Sequence, residues 1–385
     1  LRIPDLGQHE DLAAIKDKAR SIGAIDAFTI DAREEFARGY IIPALQANAL
    51  YENVYPLATA LGRPLIADKL VEVAHAVNAT AIAHGCTGKG NDQVRIESAL
   101  AYLDPTIQVL APVREFSLSR DYELRYAQEH AIPVEKAASV FSIDENLWGR
   151  SAECGVLEQE DCEPPEQAFA WTQSPLDAPN YSAYCELTFE HGVPVALNDK
   201  RMVFVDLIQE LNRIGGLHSI GRIDHIESRL VGIKSREVYE APAAKILIQA
   251  HQDLEKLVLT RDVLHFKPVI EHTFADCVYN GLWFSPLRQA LSGFTAQIQE
   301  NITGIVKMRL YKGLATVIGR KAEKGLYVKD LATYEGADEF DSPAAKGFIQ
   351  IWSLPYKVYS IKNNGHSARA LPDLPIPVDS IAISP

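Results

Sequence analysis

Residues 83–97 read AHGCTGKGNDQVRIE. The run TAIAHG leads in as a strand, and a helical pattern begins near Asp92. Gly85, Gly88 and Gly90 fall between the two. A strand that ends on a glycine-rich loop and re-enters as a helix belongs to α/β sheets, whose ligands bind beyond the carboxyl ends of the strands.

The first third of the chain repeats that alternation. His9 to Gly23 carries apolar residues at helical spacing and stops on glycine, and Ala24 to Asp31 follows as a strand. EEFARGYIIPALQANALYENVY reads as a long helical region, Pro64 to Asn78 as another helix, and Thr106 to Val113 as a short buried strand. Strands alternating with helices imply right-handed crossovers and a mostly parallel sheet covered on both faces.

The pattern changes after about residue 138. AYCELTFEHGVPVAL turns at His191-Gly192 between two strands, and GIVKMRLYKGLATVIGRK turns near Lys312-Gly313. FVDLIQELNRIGG and AAKILIQAHQDLEKLVL read as helices. This is α+β and implies a second domain. Residues 1–138 are therefore expected to form one α/β domain and 139–362 a second, α+β domain, with 363–385, rich in proline and polar residues, a flexible tail.

At 385 residues the chain exceeds one small core. No apolar run approaches the ~18 residues of a membrane span. The net charge of −13 disfavours nucleic acid and acidic membranes as partners. The five cysteines are odd in number and form no CxxC pair, which points to free thiols in a reducing cytoplasm.

Glycines admit positive φ and close approach to the main chain. Asn91 occupies an N-cap position, and the N–H groups of the following helix favour an anion. Asn91 and Arg95 share a helix face, and Asp92 can meet Arg95 three residues on. An amide, a carboxylate and a guanidinium there suit a zwitterion, the guanidinium holding a carboxylate and Asp92 an ammonium. Two plainer readings stay open: a glycine turn that only caps a helix, and an Arg95 paired at the surface with Glu97 or Glu72. The loop is not a Walker A motif, since no Ser or Thr follows Lys89.

The loop also resembles that of the argininosuccinate synthase family. So do LGQHEDL, YENVYPLATALGRPLIA, FSIDENLWGRSAECGVLE, IGRIDHIESRLVGIKSREVYEAP and YNGLWFSP, in the family's order from about Asp5 to about Val358. The resemblance implies that residues 1–138 form a nucleotide-binding domain of the ATP-pyrophosphatase type (adenine nucleotide alpha hydrolase-like) and 139–362 a synthetase and oligomerisation domain. It implies ligation of citrulline and aspartate through a citrullyl-adenylate, with release of AMP and pyrophosphate, in arginine biosynthesis or the urea cycle. It further implies ATP, Mg2+ bridging its phosphates, and a cytoplasmic homotetramer.

Carried over by position, Pro4 and Gly85 correspond to ATP contacts and Thr87, Asn91 and Asp92 to aspartate contacts. Tyr55, Ala60, Asn91, Arg95, Ser142, Ser151, Glu227 and Tyr239 correspond to the citrulline pocket. Asp92 is also a candidate acceptor of the aspartate amine's proton. Pro4 replaces a small residue of the family, Ala60 a serine and Ser228 an asparagine. The family's SGGLDTS-type pyrophosphate loop has no counterpart here. The chain opens inside what should be the sheet's second strand, so that loop and the first strand are expected upstream of Leu1. The alternative is a non-catalytic homologue that binds nucleotide or amino acid without the loop.

Overall fold

The computed structural model describes residues 2–134, 141–334 and 340–364. Strand β1 (Arg2–Asp5) pairs in parallel with β2 (Phe28–Asp31), joined by the helix Leu12–Ser21. That helix starts later than the apolar spacing suggests, because the Asp11 carboxylate accepts from the main-chain N–H groups of Ala13 and Ala14, both at 3.0 Å, and caps it. Strand β3 (Ala81–Ala83) pairs in parallel with β4 (Gln108–Leu110) across the helix Asp92–Leu103. The described strands thus make two parallel βαβ units, each with the crossover helix that parallel pairing requires. β4 is shorter and more open than the expected buried strand: Gln108 and Leu110 are exposed, and β3 is its single pairing partner among the described residues.

The long helical region expected between β2 and residue 55 breaks. The helix Arg33–Phe36 continues through a π-turn into Ile42–Gln46 and stops there. Asn48, Glu52 and Asn53 then take positive φ, a conformation Asn tolerates better than most residues. The resulting turn sets Tyr51 opposite Tyr55. The next helix runs Ala58–Ala76, so Pro64 lies inside it rather than at its start. Pro64 brings no N–H to the Ala60 carbonyl one turn earlier.

Beyond residue 140 the sheets are antiparallel. β5 (Ser142–Asn146) and β6 (Gly149–Glu153) form a hairpin. With β10 (Arg222–Ser228) and β11 (Lys234–Glu240) they build a sheet ordered β10-β11-β6-β5. β7 (Ala183–Glu190), β8 (Val193–Leu197), β9 (Lys200–Arg201), β12 (Gly304–Tyr311) and β13 (Leu314–Ala322) build another, ordered β13-β12-β7-β8-β9. The helices Phe204–Leu217 and Pro242–Val258 supply Leu207, Leu211, Leu247 and Leu254 to the main core.

The chain separates into two compact units, residues 1–326 and 327–385. The second contains the helices Lys329–Ala332, Ala344–Trp352 and Leu354–Asn364. The expected tail from residue 363 falls outside the described residues beyond Asn364. Among the described residues no helix is long and apolar enough to cross a membrane.

One polar cluster is sealed inside the first unit. Lys267 lies 3.1 Å from Glu255 and donates to Glu271 at 2.6 Å. Asn48 donates to Glu255 at 2.7 Å, and Gln299 donates to its other oxygen at 2.7 Å. His251 bridges Asn48 and Gln299. The cluster binds three helices to the turn that carries Tyr51 and Tyr55. Lys267→Met strands the buried Glu255 carboxylate without its cation and should lower the unfolding free energy by about 3–5 kcal/mol in urea titrations. A loss below about 1 kcal/mol would show that the amides alone suffice.

Candidate active site

The start of the helix Asp92–Leu103, the Tyr51–Tyr55 turn and the hairpins β5–β6 and β10–β11 converge on one polar cavity of about 60 Å³. Its walls include Tyr55, Thr59, Asn91, Asp92, Arg95, Asp144, Ser151, Glu153, Glu227, Arg229, Glu237 and Tyr239. Tyr55, Asn91, Asp92, Arg95, Ser151, Glu227 and Tyr239 came from the sequence; the others did not.

Glu227 is buried, and both of its oxygens are bound. The Tyr239 hydroxyl donates to one at 2.6 Å and the Tyr279 hydroxyl to the other at 2.6 Å. Burial raises both phenol pKa values, so both stay protonated donors. Tyr55 stacks on Tyr239 with ring centroids 4.0 Å apart, and Tyr51 stacks on Tyr279 at 3.5 Å. The main-chain N–H of Thr59 donates to the Tyr55 oxygen at 3.0 Å.

Asn91 stands at the N-cap position, but its side chain caps nothing. Its amide instead donates to the Tyr279 hydroxyl at 2.8 Å, and its carbonyl accepts from Leu230 N–H at 2.9 Å. Arg95 is buried rather than paired at the surface. It donates through Nε to the Tyr279 carbonyl at 2.9 Å, meets Asp92 at 3.3 Å and lies over the Tyr279 ring at 4.7 Å. Gly281, at φ +74°, makes this packing possible: a Cβ there would lie 2.8 Å from the Arg95 Cα.

Arg63 reaches from the helix Ala58–Ala76 to Asp92 at 2.6 Å and to Asp144 at 2.9 Å. Burial disfavours the Asp92 charge, but Arg63 and then Arg95 outweigh it and bring its pKa down to about 2. Glu237 behaves oppositely. Burial, then Glu153 and Glu227, push its pKa well above the carboxylate range, although Arg229 donates to it at 2.7 Å. Arg229 also pairs with Glu153.

The remaining sequence candidates do not line this cavity. Ser142 is exposed and pairs in register with Glu153, on the same face of the hairpin as Asp144 and Ser151. Ala60 is buried in the main core, while its neighbour Thr59 faces the cavity. Gly85 and Thr87 are exposed in the loop after β3, and a Cβ on Gly85 would meet nothing within 4 Å. None of Gly85, Gly88 and Gly90 uses positive φ, so their service is bareness, not a special turn. Pro4 lines a second cavity of about 510 Å³ with Arg63, Ile66, Glu145 and Arg150. Thr59 and Asp144 border both cavities.

The residues missed have a recognisable signal. Strand alternation from Ser142 and Ser151 brings Asp144 and Glu153 to the same face, and alternation from Glu227 and Tyr239 brings Arg229 and Glu237. Thr59 and Arg63 are one helical turn apart. Tyr279 opens the stretch YNGLWFSP but has no such alternation to mark it; it arrives from the end of the helix Arg261–Tyr279.

Residues 2–133 match the family description "Arginosuccinate synthase N-terminal HUP domain", and residues 141–359 match "Arginosuccinate synthase C-terminal domain". An argininosuccinate synthase of Halalkalibacterium halodurans is 54% identical over 360 residues, covering 93% of this chain and 88% of the relative. One from Geobacillus kaustophilus is 54% identical over 365 residues, covering 94% and 90%. One from Streptococcus thermophilus is 52% identical over 361 residues, again covering 94% and 90%. The chain belongs to the argininosuccinate synthase family.

Proposed function

We propose that this chain ligates citrulline to aspartate at the expense of ATP, as a step of arginine biosynthesis. The observation that carries the reading is the polar cavity itself: residues 55, 95, 151, 227 and 239, far apart in sequence, share its wall. Each corresponds to a family contact to citrulline.

In this reading citrulline occupies the smaller cavity, beside Tyr55, Arg95, Ser151, Glu227 and Tyr239, with Ser142 at the rim and Ala60 behind Thr59. Aspartate lies toward Asn91, Asp92 and Thr87. ATP takes the larger cavity, with Pro4 beside the adenosine and Gly85 offering its bare main chain. The shared border at Thr59 and Asp144 is where the ureido group meets the α-phosphorus. The ureido oxygen attacks that phosphorus and pyrophosphate leaves. The aspartate amine then attacks the ureido carbon, loses a proton, and AMP departs. The chain contributes chiefly alignment and charge placement.

A carboxylate held near pKa 2 is a weak base. We therefore assign Asp92 to orienting Arg63, Arg95 and the incoming ammonium, not to removing its proton. Mg2+ would enter on the nucleotide's phosphates. Among the described residues no group of three or more His, Cys, Asp or Glu side chains gathers to hold a metal. Exposed Phe348, Ile349, Ile351 and Trp352 on the helix Ala344–Trp352 support assembly into a homotetramer. Free thiols at all five cysteines support a cytoplasmic location.

Steady-state pyrophosphate release should require citrulline and aspartate together; release with neither would contradict the reading. Arg95→Ala should raise the citrulline KM by about thirtyfold or more, equivalent to about 2 kcal/mol or more for breaking a buried charge contact. An unchanged KM would remove Arg95 from the pocket. Asp92 also predicts a pH signature. Its folded pKa lies below the ordinary 3.8, so its stabilisation is complete above that value and is lost as pH falls toward 2. Asp92→Asn should cost about 2 kcal/mol of unfolding free energy at neutral pH and far less near pH 2. An equal cost at both pH values would contradict the ion pairing.

A further inference from the structure

We infer that Tyr279, which no assignment above places on a substrate, is the positioning residue that joins the citrulline-holding and aspartate-holding groups into one unit. The inference rests on the substrate assignment just given.

Tyr279 is fully buried at the end of the helix Arg261–Tyr279 and does not line the cavity. Three site residues nevertheless depend on it. Its hydroxyl proton goes to Glu227 at 2.6 Å, and its hydroxyl oxygen accepts from Asn91 at 2.8 Å. Its carbonyl accepts from Arg95 at 2.9 Å, and its ring carries the Arg95 guanidinium. The hydroxyl's direction is determined: a buried carboxylate takes only its proton, so the oxygen remains for the Asn91 amide. That bond fixes which end of the Asn91 carboxamide turns to Leu230 N–H. The donor face of Asn91 and the carboxylate of Glu227 are therefore set by one oxygen atom. The phenol itself is held by the ring of Tyr51, parallel to within 4°, whose own hydroxyl donates to the Ser228 carbonyl at 2.7 Å. Tyr239 binds the other Glu227 oxygen and has no bond to Asn91, which makes it a built-in comparison.

Tyr279→Phe removes the hydroxyl and keeps the ring, the stack and the main-chain carbonyl. It should raise the KM for citrulline and for aspartate about tenfold each, the loss expected when a hydrogen bond to a charged group is removed. Tyr239→Phe should raise the KM for citrulline alone. In an Asn91→Ala background, adding Tyr279→Phe should no longer change the aspartate KM. A Tyr279→Phe protein that shifts citrulline alone, or neither substrate, would overturn the inference. Hydrogen exchange at the Leu230 amide tests the same wiring without catalysis: protection should fall in Tyr279→Phe and hold in Tyr239→Phe. Unchanged protection in both would overturn the inference. Failure of the unmodified chain to release pyrophosphate with both amino acids would instead sink the substrate assignment, and the Leu230 exchange would still decide the role of Tyr279.

Discussion

A carboxylate taken out of water must be hydrogen-bonded, and Glu227 meets that demand with two tyrosine hydroxyls from different parts of the chain. Tyr239 comes from the strand paired with Glu227's own, and Tyr279 from a helix end that also grips the start of the Asp92 helix. Each phenol lies flat against another tyrosine, so neither can swing away without breaking a stack. Removing Glu227 from this arrangement would leave two buried hydroxyls without their acceptor. The site is held together by the same bonds that give its groups their direction.

Charge follows from that frame. Arg63 and Arg95 converge on Asp92 and keep it ionised, while Glu237 is crowded by Glu153 and Glu227 around the single Arg229. One cavity thus contains a carboxylate that resists protons and another that favours them. The sealed cluster of Lys267, Glu255 and Asn48 is the support behind this arrangement, since it anchors the turn that delivers both stacking tyrosines.

Much of the fold was legible because it is local. The hairpins turn at His191-Gly192 and Lys312-Gly313 as the sequence suggests, with positive φ at all four residues, and the helix after the glycine loop begins at Asp92. The contact between Asp92 and Arg95 follows from helical spacing. The break at Asn48 was not legible, since the apolar spacing around it also fits a continuous helix. Nor was the side-chain direction of Asn91: its sequence position is that of a cap, and only the distant Tyr279 and Leu230 turn it inward. Ala60 and Thr59 show the same limit. Position along the helix does not say which neighbour meets the cavity until the packing partners are known.

The most direct measurement is a crystal structure with citrulline and a non-hydrolysable ATP analogue. The proposed placement predicts citrulline density bounded by Tyr55, Arg95, Ser151 and Glu227, with the nucleotide's α-phosphate near Thr59 and Asp144. Citrulline seated away from Glu227, with the carboxylate still engaged by its two tyrosines, would contradict it.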